Sequence, residues 1–130
     1  MARTRMPAPF RQEHGGSAVE FALIVPILLG LIFGILEYAW FFNQQISATQ
    51  GARAAARAYV LHHEDPAFDL LAVADAGSPT VDITSAAASQ AGCPEGATIS
   101  VVIAGPNDPL LGLFPLPAEI KAKGAMQCEA

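Results

Sequence analysis

Charge is what this sequence has least of. Only 15% of its 130 residues are Asp, Glu, Lys or Arg, against about 25% in an ordinary soluble domain. Bases are scarcer than acids, seven against twelve, for a net charge of −5 and a pI near 5.0. That shortage excludes a nucleic-acid binder, which is normally basic, and a tail built to sit on anionic lipid. Cysteine is nearly absent, with two residues and no Cys-x-x-Cys pair. There is no G-x-S-x-G, no P-loop and no nucleophile beside a plausible base. The residues therefore indicate no enzyme, no cofactor and no small-molecule substrate. Glycine follows no period and no heptad is sustained, which excludes collagen and coiled coil. An apolar fraction of 52% excludes a disordered chain.

The charges that are present are segregated. Residues 1–15 carry Arg3, Arg5 and Arg11 against Glu13; from His62 onward there are nine acids and two bases, Lys121 and Lys123. Between them Phe21–Leu36 has no charge at all. A basic flank, an apolar span and an acidic remainder form the N-in, C-out pattern of the positive-inside rule. A membrane helix needs roughly 20 residues, which the stretch reaches if it runs from about 21 to 42 with Glu37 at the outer interface. Tyr38, Trp40, Phe41 and Phe42 would then form an aromatic belt. A cleaved signal peptide fits less well, because its core is usually about 7–15 residues and ends at small residues. Here Glu37 and the aromatic cluster follow instead.

Helical character continues past Phe42. Asn43–Leu61 has no proline, many good helix formers and one opposing residue, Gly51. A helix from about Ala18 to Leu61 would be some 44 residues, about 66 Å at 1.5 Å per residue. Asp65-Pro66 ends it. Phe68–Ala76 offers a further short turn of helix, and Asp82 or Thr84 is placed to cap an alanine-rich helix to Ala91, stopped by Gly92. Thr98–Ala104 and Ala118–Glu129 alternate as strands, the second with Ile120, Ala122, Gly124, Met126 and Cys128 on one face. The expected fold is a membrane-anchored α+β protein. One long helix, transmembrane then extracytoplasmic, would lead into a small head of a short helix and a two-stranded antiparallel sheet. The expected organisation is a basic cytoplasmic leader over 1–15, the long helix over 16–61 and the extracytoplasmic head over 62–130. The connection 105–117 is unusually apolar. Folding back onto the sheet accounts for that, and so does contact with a partner subunit or the membrane face.

Ser17-x-x-Glu20 before an apolar run reads as a capping box. Glu20 is also an ionisable group at the edge of a membrane span, where such groups are costly and by default functional. Gly30 and Gly34 form a GxxxG that allows close helix approach; glycine is also simply common in such spans. Pro26 removes one intrahelical hydrogen bond, which membranes tolerate. Glu37 reads as a snorkelling interfacial carboxylate. His62-His63-Glu64-Asp65 lacks the i, i+4 spacing of two helix-borne metal ligands, so a solvated helix end is expected and no metal site. Outside the cytoplasm Cys93 and Cys128 would form one disulfide. Two buried thiols would instead suit a cytosolic head, and the basic leader favours the disulfide.

The leader, then Gly15-Gly16-Ser17-Ala18-Val19-Glu20-Phe21 and an apolar helix, is similar to the processing region of type IV prepilins. Cleavage after Gly15 would make Gly16 the first mature residue, Glu20 the fifth and Phe21 the sixth; the paired glycines leave the bond open by one. The wider stretch S17-A-V-E-F-A-L-I-V-P-I-L-L, with G51-A-R-A-A-A-R-A and the closing K123-G-A-M-Q-C-E, resembles the TadE-like family of pseudopilins in the tight-adherence pilus system. The resemblance implies a structural role in pilus assembly and adhesion at the inner membrane. It implies processing by a prepilin peptidase, and as partners the lipid bilayer, other pilin-like or TadE-like subunits and the assembly machinery. In pilins the fifth-position glutamate pairs with a neighbour's N-terminal amine, a role that would fall to Glu20, with Phe21, Gly30 and Gly34 in subunit contact. The competing reading is a single-pass anchored extracellular binding domain unrelated to pili.

Overall fold

The computed structural model describes residues 14–129, with the backbone alone for His14. The expected leader therefore lies, up to residue 13, outside the described residues. The elements in chain order are α1 (His14–His62), α2 (Leu70–Ala76), β1 (Ser85–Ala88), β2 (Thr98–Pro106) and β3 (Glu119–Gln127). The chain divides into two units, 1–33 and 34–130.

The described part of the first unit is helix throughout. From Gly15 to Phe33 every side chain is exposed except the half-buried Val25, although the stretch is almost wholly apolar. Ser17 and Glu20 lie inside α1 and not at its N-cap, so the capping-box reading does not hold. Pro26 sits within the helix.

In the second unit α1 becomes the spine of a small α+β head. Its buried face is Ala48, Ala52, Ala55 and Ala56, spaced at helical intervals so that one smooth stripe meets the sheet. Small residues on both sides allow the backbones to touch. A Cβ on Gly124 of β3 would overlap the Ala52 carbonyl and lie 2.6 Å from Arg53 N. At Gly51, likewise, a Cβ would overlap Ser78 Oγ and lie 2.6 Å from Ala74 O. The helix ends as its proline signal requires, and α2 starts at Asp69, whose side chain accepts from the Leu71 and Ala72 N–H groups at 3.0 and 3.1 Å.

The sheet is antiparallel in the order β1-β2-β3. β2 and β3 pair along their length, from Thr98 opposite Gln127 to Pro106 opposite Glu119. Ile99, Val101, Ile103, Ile120 and Ala122 point inward, with Val81, Ile83 and Phe41 completing the core. Two expectations are corrected here. The sheet has three strands, not two, and the alanine run expected as a helix to Ala91 is strand β1. The short helix is α2 instead. The cause is the free edge of β2, whose backbone groups need partners. Ser85–Ala88 supply them against Ala104–Val101, and small side chains fit the half-buried edge. Upstream, Val81 and Ile83 are buried while Asp82 and Thr84 are exposed, a two-residue alternation that a helix would have broken. A disulfide joins Cys93 to Cys128 with 5.6 Å between their Cα atoms, tying the β1–β2 connection to the end of β3.

Candidate functional site

Four residues at helical spacing on α1, Gly34, Glu37, Trp40 and Gln44, form a seat for the β2–β3 loop. The loop leaves the sheet at Asn107, whose N–H donates to Ala118 O at 2.9 Å and whose side chain donates to Pro117 O at 2.7 Å, closing its base. Asp108 then meets the helix. Its N–H donates to Gln44 Oε1 at 3.1 Å, and its carbonyl accepts from Gln44 Nε2 and Trp40 Nε1, each at 2.8 Å. One turn toward the N-terminus, Glu37 is fully buried. Its Oε2 accepts from the Leu111 N–H at 2.8 Å and its Oε1 from the Gly112 N–H at 3.2 Å. Gly112 is left-handed at φ 69°, a conformation glycine adopts without Cβ strain. Successive backbone N–H groups converging on an anion in this way form a nest. The Phe114 ring covers Gly34, where a Cβ would lie 3.3 Å from Cζ.

This arrangement corrects two expectations and narrows a third. Glu37 does not snorkel to an interface; the protein's own loop buries it and gives both oxygens a donor. Such satisfaction is what makes a buried carboxylate tolerable. Nor do the four aromatics form one belt. Phe41 packs against the core, Trp40 bonds the loop, and Tyr38 and Phe42 stay exposed. The loop docks on α1 and not on the sheet, leaving Leu110, Leu111 and Leu113 exposed at 53, 44 and 68%. The seat carries a sequence signal: Gly34, Glu37 and Gln44 recur at intervals of three and seven through a largely apolar and aromatic stretch. Nothing in the chain before Asp108 says what they bind.

The remaining candidates fall as follows. Gly15, Gly16, Glu20 and Phe21 are exposed on the first turns of α1. Gly30 has no neighbour to which a Cβ would come close, whereas Gly34 is occupied by Phe114. His62 stacks on Phe68 with ring centroids 6.1 Å apart and an interplanar angle of 19°, and its Nδ1 lies 3.2 Å from Ala58 O. Tyr59 accepts from the Gly92 N–H and donates to Gln90 O at 3.1 and 3.0 Å, so the end of α1 is fastened to the loop beside Cys93. Among the described residues no group of three or more His, Cys, Asp or Glu side chains could hold a metal. Beside the seat a cleft of about 470 Å³ opens between Trp40, Thr80, Asp82 and Asp108; it carries carboxylates and no basic residue.

These features define a class first: among the described residues, one helix long and apolar enough to cross a membrane and an α+β head closed by a disulfide. Residues 15–57 match the family model described as TadE-like protein. The likeness expected from the sequence therefore holds over α1, from its first turn to Arg57; the closing stretch 123–129 lies outside the match. No curated protein and no solved structure matches the chain.

Proposed function

We propose that this protein is a pseudopilin or assembly subunit of a tight-adherence pilus, structural and not catalytic. In this reading it is anchored in the inner membrane with its N-terminus in the cytoplasm and its head outside. The observation that carries the reading is the TadE-like match over residues 15–57, which contains the whole apolar stretch. The disulfide supports an extracytoplasmic head, since such bonds persist in oxidising compartments.

The seat sharpens the role of Glu20. With Glu37 taken up by the head, the stretch left for lipid ends near Leu36. Counting back roughly 20 residues for a span puts the inner boundary near Ser17 and Glu20 within the apolar layer. A carboxylate there is stabilised by a cationic partner, and the free amine of a neighbouring subunit processed at Gly15 or Gly16 is such a group. Prepilin peptidase would generate that amine, with pilin-like subunits and the assembly machinery as partners. The test is Glu20→Ala in cells that build the pilus. The variant is expected in the membrane fraction at normal levels, with copurifying subunits and pili lost. Unchanged pili and unchanged copurification would refute the assignment.

A further inference from the structure

We propose that the β2–β3 loop is a second membrane contact, its leucines seated in the outer leaflet beside the point where α1 emerges. The inference rests on the membrane-anchored reading above and adds to it an interfacial foot on the head itself. Pro109–Pro117 contains no charged residue, and Leu110, Leu111 and Leu113 are exposed at 53, 44 and 68%. The loop does not wander freely. Glu37, Trp40 and Gln44 hold it against α1, on turns that also expose Ile35 and Leu36 at 68 and 47%. Those two residues close the uncharged stretch that needs lipid. The leucines thus continue, on the same part of the head, the apolar surface that Ile35 and Leu36 expose.

An irregular backbone is excluded from the hydrocarbon itself, so the loop would sit at the headgroup level, where water reaches its polar groups. Pro109, Pro115 and Pro117 have no N–H, and the amides of Leu111 and Gly112 are taken by Glu37. The same two bonds give the Glu37 carboxylate donors from the protein itself. Insertion is expected at the depth of an interfacial segment, about 5–10 Å into the headgroup–acyl boundary, and not at the bilayer centre.

The test uses the full chain in phosphatidylcholine–phosphatidylglycerol vesicles, with the disulfide intact and one nitroxide at Leu113→Cys, Leu23→Cys or Lys123→Cys. Collision with oxygen and with a water-soluble nickel chelate is read at each. The expected result is an oxygen-to-nickel ratio at Leu113→Cys several-fold above that at the solvent-facing Lys123→Cys and below that at Leu23→Cys. A ratio equal to that of Lys123→Cys, with Leu23→Cys deep in lipid, would overturn the foot and leave the anchor standing. Nickel access at Leu23→Cys would overturn the anchor itself. Shielding of Leu113→Cys from both reagents would mean a protein partner covers the loop, and would also overturn the proposal.

Discussion

Replacing Glu37 by alanine removes the acceptor of the Leu111 and Gly112 amides, whose bonds to it are partly buried, without touching the core. A hydrogen bond to a charged group contributes about 1.5–3 kcal/mol, and an amide that loses its partner in a buried setting costs about 1–3 kcal/mol, less where water can reach it. The loss is bounded, however, by the free energy with which the loop docks, because water reaches the amides once the loop lifts. Two stranded amides therefore translate into about 2–4 kcal/mol of docking, or roughly 30- to 700-fold faster opening. Glu37→Gln keeps one acceptor and sets an NH2 donor against the second amide, for about 1–2 kcal/mol and roughly 5- to 30-fold. The assay is amide exchange by mass spectrometry on the full chain in nanodiscs, following peptides over 107–116 with the β2–β3 strands as internal reference. Trp40, the single tryptophan of the chain, reports the same event, since its indole N–H is bonded to Asp108 O at 2.8 Å. Loop exchange should rise in the order wild type, Gln, Ala, with the strands unchanged. Wild-type exchange over 107–116 and unaltered Trp40 emission in Glu37→Ala would refute the carboxylate clamp.

Other outcomes follow from the packing. Gly124→Ala places a methyl on the Ala52 carbonyl; pushing β3 off α1 should destabilise the head by about 1–3 kcal/mol or more, seen as a lowered Tm, while Gly30→Ala leaves the Tm unchanged. The Cys93–Cys128 bridge spans 35 positions, so its removal by paired serine substitution should cost about 4 kcal/mol on the chain-entropy account. Thiol blocking before and after reduction, read by mass, should show two new thiols only after reduction.

Much of this protein is written in periodicity and charge. The apolar stretch from Phe21 to Leu36, the end of α1 at Asp65-Pro66, and the alternation of Ile99, Val101 and Ile103 are local patterns that point to one structure each. The pairing of two cysteines needs no geometry to be suspected. Tertiary structure decided where local preference was weak or double. Ser85–Ala88 has helix-forming alanines, yet the unpaired edge of β2 draws it into the sheet, because a bare strand edge loses more than alanine gains from a helix. Glu37 was ambiguous for the same reason in reverse. A carboxylate in an apolar stretch needs donors, and those donors, Leu111 and Gly112, come from more than seventy residues away, in a loop whose own sequence shows only that it avoids charge. Hydrogen bonds across such a separation leave no periodic trace in the chain, so only the folded structure could show which helical turn the loop would choose.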